Sequence, residues 1–198
     1  MRSHCRRSNE PAAMDDDAYY AFCMANPDKR FERTAQGEIL IVPPAGGESD
    51  FRSLRSGTQL DRWAQRSRRG VAFGSSTEFI LPDGAALSPD AAWVSNGRLS
   101  NLTKEQRRKF MPVCPEFVIE VVSPTDRLAA LKRKMRQWIE NGAQLAWLID
   151  GDRQTAHIYR AGQGEPEVVK GAKKLHGEGA VAGLTMNMLS IWAGLSDL

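Results

Sequence analysis

Residues 115–142 read PEFVIEVVSPTDRLAALKRKMRQWIENG, a strand followed by a helix. Phe117–Val122 is a nearly continuous apolar run, the pattern of a central strand covered on both faces. Ser123-Pro124-Thr125-Asp126 then turns the chain, because these residues favour turn conformations. Beyond it the period becomes helical: Leu128, Leu131, Met135, Trp138 and Ile139 fall on one face at roughly 100° per residue. Asn141-Gly142 ends the helix, glycine suiting its left-handed cap. Within the strand, Glu120 shares a face with Val118 and Val122, since side chains alternate. With both faces covered, an ionised Glu120 needs a cation or hydrogen bonds to offset its lost hydration. On an edge strand it would simply face water.

Downstream, QLAWLID (144–150) and TAHIYR (155–160) flank Asp150-Gly151-Asp152-Arg153 and predict a hairpin. A Gly/Lys-rich loop, a short strand at EVV (167–169) and a last helix through Met188 and Trp192 follow. Upstream, AAWVS (91–95) reads as a strand running into Asn96-Gly97, a type I′ turn signal. Thr103 with Gln106 forms a capping box for a short helix through Phe110. VAFG and EFIL are strands, the second leading into a turn at Leu81-Pro82-Asp83-Gly84. Leu54, Leu60 and Trp63 give a helical pattern between Ser49 and Arg66. RFERTA and EILIV flank Gln36-Gly37 as a hairpin with Glu32 in its first strand. Asp15, Asp16 and Asp17 suit the first turn of a helix through Tyr19, Tyr20, Phe22 and Cys23 that ends near Asn26-Pro27. This order predicts one mixed α/β domain over residues 14–198, with a central mixed sheet flanked by helices.

The composition is that of an ordinary globular chain. It has 198 residues, 41% hydrophobic and 26% charged, enough for a core without staples and too apolar for wholesale disorder. No apolar run reaches the ~18–20 residues that cross a bilayer. Residues 1–13 are polar and aperiodic, so they read as a disordered lead-in and not a secretory signal, and Met14 resembles a natural start. Cys5, Cys23 and Cys114 are an odd number without a C-x-x-C, and His4, His157 and His176 are scattered. A disulfide framework, a thiolate zinc site and a histidine-rich metal centre are therefore excluded. The expected compartment is the reducing cytoplasm. Net charge is +3, and the lead-in supplies much of it, so bulk charge gives no argument for nucleic acid.

Local chemistry is more informative. Pro89 leads Asp90 into the AAWV strand. Alone this is a common turn aspartate; paired with Glu120 on a neighbouring strand it is half of an oxygen-ligand site. Two carboxylates without histidine or thiolate suit magnesium or manganese. A compensating cation for Glu120 is available on the following helix. Lys132 and Lys134 flank its apolar face on opposite sides, and either could bury its stem and return its ammonium to the sheet. Helical spacing does not choose between them. Arg133 and Arg136 lie further toward solvent, and with Arg127 the run is by default a solvated face. Other motifs fail. Gly177, Gly179 and Gly183 miss dinucleotide spacing, Asn101-Leu102-Thr103 is a sequon whose threonine has a capping role, and Ser123 and His157 lack nucleophilic-dyad partners.

Taken together, SPDAAWVS around Asp90, PEFVIEVVSPTDR around Glu120, KRKMRQWIENG around Lys134 and AWLIDGDRQTAHIYR resemble the Uma-two (Uma2) family, bacterial proteins grouped with restriction endonucleases. The resemblance spans most of residues 18–195, including NPDKRFERTAQGEI. It implies a restriction-endonuclease-like PD-(D/E)XK fold. Position by position, Asp90 and Glu120 resemble the family's metal-binding carboxylates, Lys134 its lysine moved onto the helix, and Glu32 its first acidic position. Val122 stands where the motif's lysine would be, and Ala130 where many relatives have aspartate.

The resemblance implies a nuclease that uses Mg2+ or Mn2+ to hydrolyse phosphodiester bonds, with DNA as partner, no membrane association and a homodimer as an open option. Asp90, Glu120 and Lys134 are the expected catalytic residues, with Arg127, Arg133 and Arg136 as candidates for backbone-phosphate contacts. The rival expectation is a non-catalytic, nuclease-like module for nucleic-acid binding or assembly. A chain shortened to start at Met14 is expected to fold and function normally. Thermal melts check this: a fall of several degrees on truncation would show that residues 1–13 pack.

Overall fold

The computed structural model describes residues 14–195; the expected lead-in, residues 1–13, lies outside the described residues, as do residues 196–198. In chain order, α1 (Asp16–Ala25), β1 (Arg30–Arg33), β2 (Ile39–Val42) and α2 (Gly47–Ser67) come first. Four strands follow: β3 (Gly70–Gly74), β4 (Phe79–Ile80), β5 (Ala86–Leu87) and β6 (Ala91–Ser95). The middle holds α3 (Asn96–Ser100), β7 (Phe117–Val121) and α4 (Leu128–Glu140). The chain continues with β8 (Leu145–Asp150), β9 (Thr155–Arg160), β10 (Glu167–Lys170), β11 (Lys174–His176), β12 (Thr185–Asn187) and α5 (Leu189–Trp192).

The strand β7 is central, as its apolar run predicts. It lies in a six-stranded sheet of order β10-β9-β8-β7-β6-β3. Its pairing with β8 is parallel and the other pairings are antiparallel, so α4 is the crossover that a parallel neighbour requires. Alternation then divides the core. Phe117, Ile119, Trp147 and Ile149 join Leu60 and Trp63 of α2 on one face. Val118, Ala146 and Leu148 meet Met135 and Trp138 of α4 on the other. Gly142, at φ 111°, closes α4 as expected. A second sheet, order β2-β1-β5-β4, packs on α1 through Tyr19, Phe31 and Ile80.

Three local expectations change. Asn96-Gly97 is no hairpin turn but the start of α3, which Ser95 caps by accepting a 3.2 Å bond from the Arg98 amide. Asn96 is also held by the Arg69 and Arg68 carbonyls, so tertiary contacts override the local turn preference. The Thr103–Gln106 capping box forms with reciprocal bonds of 2.9 and 3.2 Å, yet it opens only a single 3-10 turn, Gln106–Arg108. In α2, Leu54 faces solvent at 66% exposure. The face carrying Leu60 and Trp63 continues instead through Ser56, Ser53, Arg52 and Ser49, all buried. The β11–β12 hairpin, too short and polar to show periodicity, was not anticipated.

Gly70 marks the tightest backbone approach in the main sheet. A Cβ there would stand 2.3 Å from the Val94 carbonyl oxygen and 2.5 Å from the Trp93 ring. Neither the ladder nor the buried indole can move aside freely. Gly70→Ala is expected to destabilise the protein by roughly 1–3 kcal/mol, the usual range for overpacking. A shifted midpoint in urea unfolding checks this, and an unchanged midpoint would mean that β3 yields at the sheet edge.

Candidate active site

The antiparallel register of β6 and β7 pairs Ala91 with Ile119. One step beyond that pair, Asp90 and Glu120 come to the same end of two interior strands. Asp90 is held from two sides: its Oδ2 accepts from the Val121 amide at 2.7 Å and its Oδ1 from Ser53 Oγ at 3.1 Å. Glu120 is 5% exposed and points at α4, on the face that alternation assigns it with Val118 and away from the solvent that an edge strand would meet. Its Oε1 accepts from Lys134 Nζ at 2.9 Å and from Trp138 Nε1 at 3.3 Å. Lys134 and Trp138 lie four residues apart, so both project from one side of α4.

The structure thus distinguishes the two lysines that helical spacing left open. Lys134 Nζ also donates to Glu32 Oε1 at 2.8 Å and to the Ser88 carbonyl at 3.0 Å, which occupies all three ammonium donors. Glu32 is fixed in turn by the Ser88 amide at 3.1 Å. Lys132 lies elsewhere, its charge bearing on His157 of β9. The β1 strand, whose Glu32 side chain enters the site, is positioned by the hairpin with β2 across Gly37 at φ 85°.

Charge is unbalanced here, with Glu32, Asp90 and Glu120 around one ammonium. Burial pushes the Glu120 carboxyl up to about 7; Lys134 opposes this, and the charges of Asp90 and Glu32 add to it. Burial also raises Asp90, against the Val121 amide, Lys134 and Ser53. Burial alone would lower Lys134, but Glu120 and Glu32 outweigh it and hold the side chain above its ordinary range. Lys134 is therefore an ammonium at neutral pH, and the charge that burial disfavours is that of Glu120 and Asp90.

These groups form the floor of a cleft of about 520 Å³. One wall is the β1–β2 hairpin, presenting Arg30, Leu40 and Val42; the other is the first half of α4, with Arg127 and Arg133. Arg136 is not part of it and pairs with Glu165 at 3.2 Å. Among the described residues no group of three or more His, Cys, Asp or Glu is arranged as a cage for a metal ion. The donor set fits a hard cation held by one or two carboxylates, with water and substrate oxygens completing its shell, which is the habit of Mg2+. Sequence reading missed Ser53, Ser88 and the indole of Trp138. The first had a signal, since Ser49, Ser53 and Ser56 continue the Leu60–Trp63 face of α2.

The family model for Uma2, described as "Putative restriction endonuclease", matches residues 16–189. Among solved structures, a similar one is "a putative nuclease belonging to DUF820" from Anabaena variabilis ATCC 29413. It superposes with a TM-score of 0.71 at 19% identity, covering 83% of this chain and 90% of that one. No curated protein matches. A family match of that extent, on a mixed α/β nuclease-like fold, makes this chain a member of the Uma2 restriction-endonuclease family.

Proposed function

We propose that this protein is a divalent-metal-dependent nuclease that hydrolyses phosphodiester bonds in DNA. The observation that carries this reading is the convergence of Asp90, Glu120 and Lys134 on the floor of one cleft. Asp90 and Glu120 would hold Mg2+ or Mn2+, which supplies polarisation of the scissile phosphate and a lowered pKa for the attacking water. Lys134 would neutralise charge on phosphorus as the new P–O bond forms and the ester bond breaks. To orient the attacking water, one of its bonds to Glu120, Glu32 or the Ser88 carbonyl would have to open. Glu32 keeps the ammonium in place. Arg127 and Arg133, at the rim, would contact flanking phosphates, which gives affinity without sequence information. Arg136, engaged by Glu165, would be at most an outer contact. Buried thiols at Cys23 and Cys114 suit a reducing cytoplasm. Among the described residues no helix is long and apolar enough to cross a membrane.

The second reading, a non-catalytic binding module, is favoured by one feature: Lys134 already neutralises part of the carboxylate cluster. Calorimetric titration with Mn2+ separates the two. Binding that disappears in Asp90→Ala and Glu120→Ala supports the nuclease, and no binding to the wild-type chain supports the module. In a cleavage assay on DNA, Lys134→Ala is expected to abolish turnover while Lys132→Ala has a mild effect. Equal losses, or loss from Lys132→Ala alone, would defeat the assignment.

Glu120 links stability to function. Its folded pKa, raised to about 7 from the ordinary value of 4.5, means that it binds its proton more tightly in the folded state. Its contribution is thus most favourable below pH ~4.5, and stability is lost as pH rises through that value toward the folded pKa. Glu120→Gln keeps the shape without the charge. It is expected to stabilise the metal-free protein at neutral pH by on the order of 1 kcal/mol. The same change should remove the rise in melting temperature that Mg2+ gives by binding only the folded state. Melts in EDTA and in Mg2+ check both. Destabilisation with an unchanged Mg2+ response would make Glu120 a purely structural residue.

A further inference from the structure

The buried polar face of α2 is unusual for a helix packed on a sheet, and its three serines use their hydroxyls differently. Ser49 Oγ donates to the Gly46 carbonyl at 3.0 Å and Ser56 Oγ to the Arg52 carbonyl at 2.9 Å. Both bonds are local, the back-bonding typical of helical serines. Ser53, between them and 8% exposed, instead reaches across to Asp90 Oδ1 at 3.1 Å. The other carboxylate oxygen is taken by the Val121 amide, next in sequence to Glu120.

We infer that Ser53 is a positioning residue that fixes the orientation of Asp90 for cation binding, an inference that rests on the metal-dependent reading of this cleft. Each donor comes from a different element, α2 on one side and β7 on the other. A carboxylate held by one bond can swing about its Cβ–Cγ axis; held by two donors on separate oxygens, it cannot. Each oxygen has a second lone-pair site, so the clamp leaves Asp90 able to ligate. The Val121 bond further ties Asp90 to the strand carrying Glu120, so the spacing of the two carboxylates is set before any cation arrives. Groups that orient a ligand in this way typically matter by about 10–100-fold in metal affinity or activity.

The test is calorimetric titration of the full chain with Mn2+, together with thermal melts and DNA-cleavage kinetics. Ser53→Ala is expected to weaken Mn2+ binding by about 10–100-fold, with kcat reduced and KM for DNA unchanged. Ser53→Thr, which keeps the hydroxyl, is expected to restore the affinity. A packing role alone would lower the melting temperature and leave the affinity of the folded protein unchanged. If Ser53→Ala does not fold, Ser53→Cys carries the test, since it keeps the shape and offers only a weak donor; it is expected to bind Mn2+ more weakly. Wild-type binding with equal affinity in the folded Ser53 variants overturns the positioning role and leaves the metal site standing. Absence of Mn2+ binding to the wild-type chain overturns both.

Discussion

A carboxylate in the central strand of a covered sheet must be compensated, and the contact of Glu120 with Lys134 meets that requirement. Burial strips Glu120 of water, and its ion pair among the described residues is with Lys134. The compensating charge comes from the crossover helix itself. Its apolar residues Met135 and Trp138 are fully buried against the sheet, which sets the rotation of α4 and so the direction of Lys134. A long side chain can then bury its stem while its ammonium finds acceptors. Core packing and site construction are therefore one event. Removing Lys134 would leave the buried Glu120 carboxylate uncompensated, the costly outcome for buried ions, whereas neutralising Glu120 leaves Lys134 with Glu32 and the Ser88 carbonyl.

The same ammonium joins the two sheets. Glu32 belongs to the four-stranded sheet and Glu120 to the six-stranded one, and Lys134 bonds both. Ser88, in the segment connecting β5 to β6, closes the arrangement by donating its amide to Glu32 and lending its carbonyl to Lys134. Across the cleft the β1–β2 hairpin is bonded to α4 through Glu32 and Lys134, while β1 is also held by β5 and by Arg33 on the Gly84 carbonyl. Arginines stand on both walls, Arg127 and Arg133 at the helix and Arg30 on the hairpin, where Leu40 and Val42 add apolar surface.

Part of this was legible in the residues. The switch to a helical period at Ser123–Asp126 identified β7 and α4, and alternation put Glu120 on the face of Val118 and Val122. Apolar spacing identified the buried face of α4 because hydrophobic burial follows helical geometry closely. The hairpin at Gln36-Gly37 and the cap at Gly142 were legible for a local reason, the freedom of glycine at positive φ. Where a local signal competed with distant partners, it lost. Asn96-Gly97 became a helix start because Ser95 caps the Arg98 amide and the Arg69 and Arg68 carbonyls accept from the amide and side chain of Asn96. Leu54 faces solvent because the buried face of α2 is the polar one that meets Asp90 and Asp152.

The sequence by itself determined that an acid within an apolar strand precedes a basic amphipathic helix, and that a second acid opens another strand. By helical spacing it could not choose between Lys132 and Lys134, because both flank the apolar face and the choice depends on which side of α4 meets Glu32 and Ser88; family resemblance alone pointed to Lys134. Nor could it show that Ser53 meets Asp90, since 37 residues separate them and no periodicity links a helix to a distant strand end. Those contacts were decided by the tertiary structure alone. Alternation and helical rise dictate which face a side chain occupies, but only the packing of separate elements dictates what stands opposite it.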